Sequence, residues 1–140
     1  MSYLAHKLNV ISSNKTNGIM QKPYVIISGP TITSDEELFH ELNKYMTTVK
    51  CLESSEIETL LATHKVDILL FEITTDSKVD LNIIKNIRNK FSMVEIILID
   101  AIGDRNVLAR AFASGARDAF PIAYNRALLL ERIQALLRRI

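Results

Sequence analysis

Four glycines and one cysteine in 140 residues leave little room for several kinds of chemistry. Gly18, Gly29, Gly103 and Gly115 are scattered, and none lies in the closely spaced glycine pattern that cradles a phosphate ahead of a helix. The lone Cys51 excludes an intramolecular disulfide framework and fits a reducing compartment, where it is most simply a small buried hydrophobe. His6, His40 and His64 lie far apart, without metal-ligand spacing. An excess of one charge is missing too: 17 Lys and Arg against 16 Asp and Glu leave +1, which argues for neither nucleic acid nor membrane. No apolar run approaches the roughly 20 residues of a membrane helix. The first residues lack a continuous apolar stretch with a small-residue cleavage site, so no secretory signal is expected.

What is present is the composition of one globular, cytoplasmic domain, with 48% hydrophobic and 24% charged residues. The charge is unevenly placed. Residues 1–103 carry nine Lys and one Arg against thirteen acids, whereas residues 104–140 carry seven Arg against Asp104, Asp118 and Glu131. Such asymmetry marks either a contact surface or a solvated helix face.

Residues 1–22 combine a short apolar patch, Leu4 to Ile11, with the turn-rich SSNKTNG, and read as a loosely held extension. From Pro23 the pattern is regular, and residues 23–140 read as the domain. Tyr24 to Ile27 is an apolar, β-branched run typical of a buried parallel strand. Ser34-x-x-Glu37 predicts a capping box, followed by Leu38, Phe39, Leu42, Tyr45 and Met46 at helical spacing. Thr48–Leu52 is a weaker strand, and Ser55-x-x-Glu58 caps a second helix with Ile57, Leu60, Leu61 and His64 on one face. Val66–Ile73 is a strand, the loop Thr74–Val79 follows, and a third helix turns Ile84, Ile87 and Phe91 inward. Val94–Ile99 is the fourth strand. Val107, Leu108, Ala111 and Phe112 line a fourth helix closed by Gly115, and Ala119–Ile122 is the fifth strand. Asn125 caps a last helix with Leu129, Leu130, Ile133, Leu136, Leu137 and Ile140 on its apolar stripe. Five strands alternating with five helices specify a doubly wound α/β fold, a parallel sheet with helices on both faces. Ligands in such folds bind outside the carboxyl ends of the strands.

The segments VDILLFEI, EIILIDA and GARDAFPIAY, with the final helix RALLLERIQALLRR, resemble the receiver domain of two-component response regulators from about Pro23 to Arg139, over four-fifths of the chain. The resemblance implies a flavodoxin-like sheet in the order 2-1-3-4-5. It also implies a phosphorylation site, and there every chemical position is replaced. The acidic pair that holds Mg²⁺ corresponds to Ser28-Gly29, or to Ile27-Ser28 if the register shifts by one; neither supplies a carboxylate. The phosphoacceptor aspartate corresponds to Glu72, and the Thr or Ser after the fourth strand to Asp100. The Lys-Pro pair corresponds to Ile122-Ala123, and the switch aromatic to Ala119. With alanine where the family has proline, no cis peptide is expected there. The implied reading is a degenerate pseudo-receiver with neither metal nor cofactor.

Glu72 reads either as a built-in mimic of a phosphorylated aspartate or as a partly solvated carboxylate held by loop amides. Glu72 and Asp100 are expected to be exposed at the carboxyl edge, where they either pair around a cation or are hydrated. Receivers communicate through the fourth helix, fifth strand and fifth helix. Arg105, Arg110, Arg117, Arg126 and Arg132 fall in that region with Asp104, Asp118 and Glu131, a set suited to reciprocal ion pairs across a two-fold axis. The expected function is therefore a phosphorylation-independent signalling module acting through a protein partner or a homodimer. The alternatives are the regulatory domain of a longer transcription factor or signalling protein and a small-ligand or cation binder at the strand ends. No helix-turn-helix occurs in the sequence, so direct nucleic-acid contact is not expected, and neither is membrane contact. Ser28 has no histidine partner, so catalysis is not expected.

Overall fold

The β-branched residues after Pro23 form strand β1, Tyr24–Ser28, in a computed structural model that describes residues 22–75 and 77–138. The expected extension lies outside the described residues except for Lys22, as does Ile140. A 3-10 turn at Ile32–Ser34 precedes helix α1, Glu36–Asn43. Strand β2, Thr47–Cys51, leads to α2, Ser54–Thr63, and β3, Ile68–Ile73, leads to α3, Ser77–Lys90. Strand β4, Glu95–Asp100, leads to α4, Arg105–Ser114, and β5, Asp118–Pro121, leads to α5, Arg126–Leu137. The strands form one parallel sheet in the order β2-β1-β3-β4-β5.

The pleat divides the core into two layers, because successive strand residues point to opposite faces. Val25, Ile27, Ile68, Leu70, Ile97 and Ile99 pack under α1 and α5 against Leu38, Leu42, Leu129 and Ile133. Ile26, Leu69, Phe71, Ile73, Ile96 and Leu98 pack under α2, α3 and α4 against Ile57, Leu61, Ile84, Ile87, Val107 and Ala111. Each fully buried aliphatic side chain contributes about 1.5–3 kcal/mol relative to exposure. The central strand β3 is buried along its whole length, Glu72 included, as a strand covered on both faces is.

Local details depart from the sequence expectation where a turn changes which residue stands at a helix end. Asp35, not Ser34, caps α1: its carboxylate accepts the Leu38 amide, while the Ser34 hydroxyl donates to the Pro30 carbonyl. Ser34 is displaced because it belongs to the preceding 3-10 turn. The residue before α2 is Glu53, with no side-chain cap, so Ser55 sits inside the helix rather than ahead of it. Asn125 caps α5 as expected, accepting the Leu128 amide, and Gly115 closes α4 at φ +124°. Met46 is buried beyond the end of α1. His64 follows α2 and lies against the Tyr24 ring, exposed to solvent, rather than on the helix's apolar face. Phe112 is not a core residue: 43% of it is exposed, because it lies on the outer side of α4. Leu52 likewise falls just past β2 and is exposed. No cis peptide occurs among the described residues. No helix among them is long and apolar enough to cross a membrane.

Candidate strand-end site

Register decides what the carboxyl edge presents. Ser28 pairs with Cys51 and Phe71, Glu72 pairs with Ile99, and Ile73 pairs with Asp100. Glu72 thus shares the face of Ile99, under α1 and α5, while Asp100 shares the opposite face with Ile73. The pleat separates the two carboxylates, so the strand ends do not present them as a pair for one cation. No cluster of three or more metal-binding side chains occurs among the described residues.

Glu72 is not exposed, contrary to the sequence expectation; it is 4% accessible. Its Oε1 accepts the amides of Thr31 and Ile32, each at 2.9 Å. Those amides open the 3-10 turn between β1 and α1, so one buried acceptor holds the turn against the sheet. The extra methylene of glutamate provides that reach. The neighbouring Gly29 has φ +131°, and a Cβ built there would stand 2.3 Å from the Glu72 Cβ and 2.7 Å from Oε1. Only glycine fits such an approach and such a backbone angle. Gly29 and Glu72 are therefore complementary: the space a side chain at position 29 would take is filled by the glutamate side chain. Thr33 tightens the same loop, its hydroxyl donating to the Gly29 carbonyl at 2.6 Å.

The remaining pocket positions are equally engaged. Ser28 is buried at the end of β1. Asp100 Oδ1 accepts the amides of Ile102 at 2.9 Å and Gly103 at 3.0 Å, closing the β4–α4 turn locally. The Ile122 amide donates to the Asp100 carbonyl at 2.9 Å, and its side chain packs against the α1/α5 core. Ala119 packs into the opposite layer. Cys51 is buried, and burial pushes its thiol up to about 11, with the Glu56 charge adding to the effect. That is the behaviour of a small hydrophobe rather than a reactive thiolate.

Sequence reading passed over the polar cluster beside this edge. Asp35 accepts the Tyr124 hydroxyl, and Arg126 Nε lies 3.1 and 3.0 Å from its two carboxylate oxygens. Arg126 also reaches Glu37 at 2.9 Å. Burial alone would raise the Asp35 carboxyl, but hydrogen bonds from Tyr124, Arg126 and the Leu38 amide outweigh it and hold the group below its usual range. Tyr124 is pushed well above the usual phenol range, first by burial and then by its bond to Asp35. Thr31, Ser34, Asp35, Ile122, Tyr124 and Arg126 line an open groove of about 640 Å³ with Glu36 and Glu37 on its rim. The only sequence signal was weak: an aspartate directly before an acidic helix start, which suits a cap. Its partners are 89 and 91 residues away.

The arginines expected on the α4–β5–α5 face divide into three groups. Arg117 lies 3.6 Å from Glu95 and Arg132 lies 3.7 Å from Asp118, each pair joining an exposed arginine to a half-buried acid. Arg126 turns away from that face toward α1. Arg105 and Arg110 are exposed on α4, whose N-terminus Asp104 caps by accepting from Asn106 and Val107. Glu131 is exposed on α5, and the exposed Phe112 and Leu128 add apolar area to these two helices.

No protein-family model matches the chain, and neither does any curated protein sequence. Solved structures do match. A two-component response regulator from Clostridium difficile superposes with a TM-score of 0.72 at 21% identity, covering 85% of this chain and 98% of the other. An orphan response regulator of H. pylori gives 0.72 at 20%, covering 83% and 97%. The signal receiver domain of an HD domain-containing protein from Pseudomonas fluorescens gives 0.76 at 16%, covering 86% and 90%. At these identities the likeness is one of fold, and the fold is that of a response-regulator receiver domain.

Proposed function

We propose that this chain is a pseudo-receiver: a cytoplasmic interaction module with the receiver fold that works without phosphorylation and without catalysis. The observation that carries the reading is the buried Glu72, whose carboxylate is bonded to Thr31 and Ile32 and seated against Gly29. Phosphoryl transfer to a carboxylate requires an in-line, accessible oxygen, a metal to neutralise the incoming charge, and a cation behind it. Here Oε1 of the buried carboxylate is bonded to two loop amides, Gly29 supplies no ligand, and Ile122 supplies no charge. An arriving phosphoryl group would meet Asp35, Glu36 and Glu37 around the groove, with Arg126 already paired to two of them. Like charges at that range oppose binding. Glu72 is thereby read as a structural anchor rather than as an exposed mimic of phosphoaspartate.

Output is assigned to the α4–β5–α5 face, through a homodimer or a protein partner. The exposed Arg105, Arg110 and Phe112 on α4, with Leu128 and Glu131 on α5, support this reading. Ion pairs as long as those of Arg117 and Arg132 cost little to exchange for intermolecular ones. The test is incubation with a small-molecule phosphodonor and Mg²⁺, followed by intact-mass measurement and sedimentation. Unchanged mass, thermal midpoint and oligomeric state are expected. A stable gain of one phosphoryl group on Glu72 or Asp100 would overturn the reading.

A further inference from the structure

The strand-end edge is held by two carboxylates, and the second acts at long range. Asp35 caps α1 through the Leu38 amide and simultaneously accepts Tyr124 from the β5–α5 connection and Arg126 from the first turn of α5. We propose that Asp35, Tyr124 and Arg126 form a latch that makes the start of α1 and the start of α5 one conformational unit.

Three features carry this beyond ordinary helix capping. Both Asp35 oxygens are used, one by Leu38 and Arg126, the other by Tyr124 and Arg126, so a single placement of the carboxylate serves the cap and the latch together. The Tyr124 ring packs against the α1/α5 core, which fixes where its hydroxyl can go. Arg126 holds α1 at a second point, Glu37, one turn side of the helix start. The latch spans the groove wall and ends on α5, which is also part of the proposed interaction face. A partner that repositions α5 is then felt at the start of α1, and anything that occupies the groove and draws off Arg126 or Tyr124 is felt on α5. The two effects are equal by thermodynamic linkage. Coupling of this kind needs no phosphoryl group.

Amide hydrogen exchange followed by NMR on the whole chain tests the latch without a phosphodonor or a partner, so its outcome is separate from that of the pseudo-receiver reading. Asp35→Ser keeps a side-chain acceptor for the Leu38 amide but is too short and uncharged to hold Tyr124 and Arg126. Tyr124→Phe removes only the hydroxyl. Tyr124→Phe should speed exchange of the Leu38 amide on α1 about 5-fold, and Asp35→Ser should do the same to the Leu129 amide on α5. The combined variant should be no faster than the more affected single one. If Asp35→Ser fails to fold, Tyr124→Phe and Arg126→Lys read the α1 amides alone. Acceleration confined to the element that carries each substitution, with additive effects in the pair, would overturn the proposal.

Discussion

The strand-end edge and the α4–β5–α5 face are both polar, yet their charges are held in opposite ways. At the edge, Glu72 is buried with two 2.9 Å bonds to backbone amides, and Asp35 is shared among three donors. On the face, the Arg117 and Arg132 pairs are 3.6 and 3.7 Å long and partly open to solvent. Removing the partner of a buried group at the edge, such as the acceptor of the Ile32 amide, costs about 1–3 kcal/mol. Removing one on the face returns the other to water, and the median worth of such a pair is about 0–1 kcal/mol. The difference is one of rigidity: the carboxylates at the edge are fixed by short bonds within the fold, whereas the ion pairs on the face are long and free to exchange.

Gly29→Ala is the strongest challenge to that contrast. It places a Cβ 2.3 Å from Glu72 and forces an unfavourable backbone angle. Strain and overpacking together should cost about 2–6 kcal/mol in chemical denaturation. A loss under about 1 kcal/mol would mean that the edge is loose after all.

Glu72→Ala comes next. It leaves the Thr31 and Ile32 amides without their acceptor and should lower stability by about 2–4 kcal/mol. Glu72→Gln, which keeps an oxygen at the same reach, should recover most of that loss. If the alanine and glutamine variants were equally unstable, charge rather than the two hydrogen bonds would be the anchor.

Acid titration sharpens the comparison further. Asp35 is held below its unfolded pKa of about 3.9. Its contribution to stability is therefore complete above that value and lost as pH falls through the lower folded pKa. The stability gap between the native chain and Asp35→Asn, measured by thermal unfolding, should be widest near pH 6 and narrow steadily below pH 4. A gap independent of pH would show that the carboxylate's charge is not what Tyr124 and Arg126 hold.

The smallest effect on stability is expected on the face. Reversing charge at Arg110 and Arg117 should change unfolding free energy by no more than about 0.5–1 kcal/mol. The same change should weaken self-association in sedimentation. A native chain that stays monomeric at high micromolar concentration would remove the homodimer and leave a different protein partner.

The place of Glu72 near the carboxyl end of the third strand was legible from VDILLFEI, but its burial was not. Burial depends on Gly29, 43 residues earlier, presenting a bare backbone where any side chain would collide. Ser34 satisfied the capping-box spacing, yet the 3-10 turn moved the helix start by one residue and left Asp35 to cap it. Tyr124 and Arg126 looked like ordinary loop and helix residues, because nothing near them in sequence indicates Asp35.

The sequence by itself determined the alternation of buried strands with helices and the parallel sheet with helices on both faces. Those features rest on local periodicity and residue type, which are properties of short segments. Only the tertiary structure decided that Glu72 is buried against Gly29 and bonded to Thr31 and Ile32, that Glu72 and Asp100 face opposite ways, and that Asp35 bonds both α1 and α5. Each of these depends on strand register or on the approach of segments tens of residues apart, and a hydrogen bond's value is set by the burial that such packing creates.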